Sequence, residues 1–178
     1  MVSIAISMLS AATAVVALVV SLMKNRRDTE LAVTKWKKEY FSDMVKWSDE
    51  CIMLLSEALH LCDLDPKRCE AGGFYASRHL LLVKLSAQID KGRWFFPNYV
   101  VDHHGQDNEE AFRGYRHEVL DGLVLAYWSL KDLDYQDKAK NTDPRKRILQ
   151  AKRSFTSEIQ KVLSPKSRDD EFKKITRT

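Results

Sequence analysis

Only six glycines and four prolines interrupt this chain of 178 residues, and no low-complexity tract or internal repeat is visible. That scarcity, with 44% hydrophobic and 30% charged residues, excludes a collagen-like repeat and speaks for an ordered, helix-rich protein over a disordered one. Cysteine is equally sparse. Cys51, Cys62 and Cys69 lack the C-x-x-C spacing of zinc or redox sites. An odd count without a framework implies free thiols in a reducing compartment.

Chemistry-bearing motifs are missing too. There is no G-x-x-x-x-G-K-[ST] or G-x-G-x-x-G stretch to cradle nucleotide phosphates, no Ser-centred nucleophile elbow, no H-E-x-x-H and no pair of Glu-x-x-His motifs. Adjacent His103 and His104, beside Asp102, point in different directions on any regular backbone. No metal and no cofactor is expected, and catalysis is the lesser reading.

Charge is absent altogether from residues 1–23. Residues 24–140 hold 18 Lys/Arg against 20 Asp/Glu, and residues 141–178 hold 11 against 5, so the formal +4 comes from the C-terminal part. A slightly acidic middle argues against nucleic acid as a partner and leaves the basic part free to touch an anionic surface or a partner.

What is present begins with the uncharged run from Val2 to Met23. As a helix it would measure roughly 30 Å, the thickness of a bilayer's hydrocarbon core. No basic stretch precedes it and no small-x-small site closes it, which argues against a cleaved signal. Lys24, Arg26 and Arg27 follow at once, so a single-pass span is expected in the cell inner (plasma) membrane, N-terminus outside and the rest cytoplasmic. Ser7, Ser10, Ala11 and Ala14 offer a small-residue face for packing against another span.

Beyond it the apolar spacing is helical. From Asp28 to about Leu64, Leu31, Trp36, Tyr40, Met44, Trp47, Cys51, Leu55, Ala58 and Leu61 or Cys62 recur at steps of three and four. A second helix is expected from Pro66 or Phe74 to about Asp90, with Phe74, His79 or Leu80, Leu81, Val83, Leu85 and Ile89 inward. Gly92 then reads as a breaker, opening a loop from Lys91 to Asn108 in which "RWFF" and "YVV" are candidates for a short extended pair. A third helix is expected from Asn108 to Leu133, its core side including Phe112, Tyr115 or Arg116, Val119, Leu123, Ala126, Tyr127 and Leu130. A fourth starts from Asn141, Thr142 or Asp143 before Pro144 and stops before Pro165, with Ile148, Ala151, Phe155, Ile159 and Val162 or Leu163 as its stripe. The expected fold is all-α: a transmembrane anchor at 1–23, a cytoplasmic antiparallel bundle of about four helices at 24–163, and a mixed-charge flexible tail at 164–178.

Two groups of residues draw functional readings. On a continuous helix Arg113, His117 and Asp121 would share one face with Arg116 beside them, so that the arginines grip an anion while Asp121 poises His117 for proton transfer. Arg93, His103 and His104 extend this candidate ligand site. The second group is Trp94, Phe95 and Phe96, of which at least two should pack across the bundle end or against a partner. The leading expectation is a membrane-anchored protein whose cytoplasmic helical domain binds or regulates a protein partner, or self-associates, at the bilayer. A membrane-tethered enzyme or anionic-ligand sensor and an oligomerising membrane-perturbing effector are the alternatives.

Overall fold

The computed structural model describes residues 2–65 and 70–164, the side chains of residues 2–14 excepted. The chain is all-helical. Its α-helices are α1 (Val2–Asp63), α2 (Ala71–Phe95), α3 (Glu118–Lys131) and α4 (Thr142–Leu163), with 3₁₀ turns at Glu110–Phe112 and Lys138–Asn141. The described residues contain no strand, only an isolated antiparallel bridge between Tyr99 and Tyr115. Two compact units divide the chain at Met1–Asp43 and Met44–Thr178.

The first unit is the N-terminal part of α1. Its Trp36 and Tyr40 rings stack at 5.6 Å, one helical turn apart, and Lys35 lies 3.9 Å from Glu39. Leu31, Val33 and Trp36, placed on the expected apolar stripe or beside it, are exposed. Among the described residues no helix is long and apolar enough to cross a membrane. The run Val2–Met23 lies partly outside that description, because the side chains of 2–14 are not part of it. Cys69, the Pro66 helix start and nearly all of the expected tail at 164–178 also lie outside the described residues.

The second unit is an up-down-up-down bundle whose direction follows from which residues meet. Along α1, Trp47 meets Phe155 of α4, Ser56 accepts a hydrogen bond from Lys152, and Asp63 accepts from Arg145. The two helices therefore run antiparallel. Trp47 also meets Gln88 and Phe95 of α2, while Leu61 lies beside Leu81. Across α2 and α3, Gly92 abuts Leu120, and Arg78 donates to the Leu133 carbonyl just past α3. α3 and α4 meet from Gly122 against Phe155 to Asp132 against Arg147.

Helical periodicity explains the core. Met44, Trp47, Cys51, Leu55, Ala58, Leu61 and Cys62 are all buried, as are Ile148, Ala151, Phe155 and Ile159. In α2 the inner face is Phe74, Leu81, Leu85, Gln88 and Gly92, whereas His79, Leu80 and Val83 face outward, contrary to expectation. A run such as "HLLLV" is apolar on every side, so its spacing could not select the inner face.

Two further boundaries differ from expectation for tertiary reasons. Gly92 does not break α2 but sits buried inside it, where a Cβ would fall 2.6 Å from Trp47 Cζ2 and closer still to Leu120. The helix needs a glycine there for close approach. α3 begins at Glu118, not near Asn108. Gly114 takes φ +76°, and Tyr99 and Tyr115 exchange backbone hydrogen bonds of 3.0 and 2.9 Å, which holds this stretch out of helix. The pairing partner of Tyr99 is thus Tyr115, not "RWFF". Phe112 and Tyr115, expected in the core, are 45% and 39% exposed in consequence.

Candidate functional site

The α2–α3 connection builds a polar cleft of about 480 Å³ at one end of the bundle. Arg93 in the last turn of α2 forms one wall. Its Nη1 donates to Asn98 Oδ1 at 2.8 Å and to the Ala111 carbonyl at 3.4 Å, and its guanidinium lies over the Phe112 ring at 4.4 Å. Those contacts fix a charged fork that is only 11% exposed. Arg116 approaches from the other side, donating from Nη1 to Asp121 Oδ1 at 3.2 Å. Burial, and then the neighbouring Arg116 charge, lower the pKa of Arg93, while Asp90 opposes the shift.

A third wall is aromatic. His104 stacks on Tyr115 at 4.5 Å and 10° between planes, and Tyr99 stacks on Tyr115 at 6.1 Å. The Tyr115 hydroxyl donates to Asp102 Oδ2 at 3.1 Å, and that bond raises its pKa. Gly114 lets the loop close, its N–H donating to the His104 carbonyl at 2.9 Å. A Cβ there would run into the Tyr99 carbonyl.

Of the expected ligand residues, Arg93, His104, Arg116 and Asp121 line this cleft. Arg113, His103 and His117 do not. Arg113 Nε donates to the Asn108 carbonyl at 2.9 Å in the loop, and His103 is exposed. His117 caps α3, its Nδ1 accepting from Val119 N–H at 3.2 Å with the ring against Phe96 at 5.0 Å. The single helical face joining Arg113, His117 and Asp121 therefore does not exist, since only Asp121 lies within α3. His117 is engaged in capping α3 and Asp121 with Arg116, so neither makes the His117–Asp121 contact that the proton-transfer expectation required.

The aromatic triplet divides. Phe96 is buried and Phe95 half-buried, both 5.7 Å from the Trp47 ring, whereas Trp94 is 75% exposed. Trp94, Pro97 and Phe112 border a second cleft of about 560 Å³ that shares Arg93. Among the described residues no three His, Cys, Asp or Glu side chains converge as a metal ion would require. Sequence reasoning missed Asn98, Tyr99, Asn108 and Tyr115 as cleft residues. Their signal was the pairing of two Tyr-containing segments across Gly114, which no helical or strand period marks. Comparison with family models, with curated proteins and with solved structures finds no match.

Proposed function

We propose that this chain is a single-pass membrane-anchored protein whose helical domain engages a protein partner, or a second copy of itself, at the cytoplasmic face of the inner (plasma) membrane. The observation that carries the reading is the charge-free run Val2–Met23 with Lys24, Arg26 and Arg27 directly behind it. An uncharged run of 22 residues, 17 of them apolar, matches the bilayer core in length, and a basic flank favours the cytoplasmic side. Support also comes from α1, where Val15, Val16, Leu18, Val19, Val20, Leu22 and Met23 are 49–68% exposed. Each such side chain gains about 1.5–3 kcal/mol on leaving water, so an apolar surrounding is strongly favoured over exposure.

The partner half of the proposal draws on exposed aromatics at Trp36 and Trp94 and on Val100 and Val101. Tryptophan is a common anchor at protein interfaces. Reporter fusions after Thr178 test the topology: activity is expected from a cytoplasmic reporter, and an exported reporter would reverse the assignment. Cross-linking in membranes tests the partner, with loss of the cross-linked species expected in Trp94→Ala at unchanged melting temperature.

A further inference from the structure

The cleft between Arg93 and Arg116 holds more cationic donor capacity than its own partners use. Arg116 Nε is buried without a hydrogen-bond partner, and Arg93 Nε has its nearest carboxylate oxygen, from Asp90, at 3.8 Å, beyond hydrogen-bond reach. Only the Nη1 atoms are hydrogen-bonded, leaving each Nη2 without such a bond among the described residues. Two guanidiniums and one carboxylate, that of Asp121, line the cleft, while Asp90, 3.8 Å from Arg93 Nε, stands outside the lining. Holding two like charges in a partly closed space costs energy that an incoming anion would recover.

The charge of that anion follows from Asp121. A carboxylate ligand would only replace an equal charge already on Arg116, and so gains little. A phosphate monoester carries about −1.5 to −2 near neutral pH and three oxygens, enough to bridge both forks while Asp121 stays. The cleft's size suits a small molecule or a headgroup, not a folded domain.

We propose that this cleft binds a phosphate monoester, its phosphoryl group bridging the guanidiniums of Arg93 and Arg116. The assignment does not rest on membrane anchoring, because every residue in it belongs to the helical bundle and its α2–α3 connection. The group has two chemical sources, a soluble monoester and a lipid headgroup, and adenosine 5′-monophosphate and phosphatidic acid represent them.

The test uses the full chain in detergent or in nanodiscs. Calorimetry at fixed ionic strength should show saturable binding of inorganic phosphate or adenosine 5′-monophosphate, or of a short-chain, water-soluble phosphatidic acid beyond that of the matching phosphatidylcholine. Arg116→Gln should weaken binding about tenfold or more, the loss expected of one charge-assisted contact. Asp121→Asn should tighten it severalfold by freeing Arg116, an outcome that a purely structural role for this pair does not produce. Response to the nucleotide alone identifies a soluble ligand, and response to phosphatidic acid identifies a headgroup; either supports the site. No saturable binding of any of the three probes overturns it. So does binding unchanged in Arg116→Gln, binding not tightened in Asp121→Asn, or equal competition by acetate.

Discussion

Trp47 gathers three rings, Phe95, Phe96 and Phe155, at 5.6–5.7 Å, and donates its indole N–H to the Gln88 carbonyl at 3.1 Å. Gly92 is what allows α2 to come this close. Gly92→Ala gains helix propensity of about 1 kcal/mol but overpacks against Trp47 and Leu120 at about 1–3 kcal/mol, so a net loss is expected in urea unfolding. Gly72, where an added methyl group would meet nothing within 4 Å, supplies the contrast: Gly72→Ala should stabilise by about 0.5–1 kcal/mol. The same assay separates the aromatics. Phe96→Ala should cost about 3–5 kcal/mol, and Trp94→Ala about 0.5 kcal/mol or less, as at an ordinary surface position. Cys62 adds a pH dependence. Burial first, and then the Asp63 charge, push its pKa from 9.0 to about 11, against smaller lowering effects of Arg145 and a backbone hydrogen bond. The fold favours the neutral thiol, so its contribution is complete below pH 9.0 and is lost as the pH climbs through about 11. Unfolding midpoints measured across that window should fall less steeply in Cys62→Ala than in the parent chain.

At the scale of elements, the boundary between the α2–α3 connection and α3 depends on one backbone conformation. Gly114→Ala must hold φ +76° with a side chain and collide with the Tyr99 carbonyl, a strain of about 1–3 kcal/mol. The Tyr99–Tyr115 bridge should open first, seen as faster amide hydrogen exchange at Tyr99 and Tyr115 than elsewhere in the bundle. The stripe of α1 from Met44 onward and that of α4 were legible in the sequence because their apolar residues repeat at helical steps against charged neighbours, whereas Leu31 and Trp36 of the same expected stripe are exposed. α2 was legible as a helix but not in its facing or its end, because "HLLLV" carries no contrast and Gly92 is decided by what packs on it. The cleft was half legible. Arg93, His104, Arg116 and Asp121 could be named from residue type, but grouping them with Asn98 and Tyr115 needed the bridge across Gly114.

For the molecule as a whole, the charge distribution has two destinations. Part of the basic C-terminal stretch is committed within the bundle, with Arg145 paired to Asp63 at 2.8 Å and Arg147 bound to Asp132 at 2.7 Å and Asp143 at 3.1 Å. The Asp63 and Asp132 pairs join α4 to α1 and to the end of α3, while the Asp143 pair lies within α4; each such half-exposed pair contributes about 1 kcal/mol or less, so neutralising them perturbs the bundle slightly beside any effect on contact with an anionic surface. The basic residues behind the apolar run, Lys24, Arg26 and Arg27, have a different place in the account: they set the sidedness of the proposed anchor. Both the proposed partner and the proposed location depend on that anchor. The most direct measurement is alkaline carbonate extraction of membranes from cells making the full chain, beside a chain lacking residues 2–23. The full chain is expected to stay with the membrane pellet while the shortened chain moves to the supernatant. Recovery of the full chain in the carbonate supernatant would contradict it.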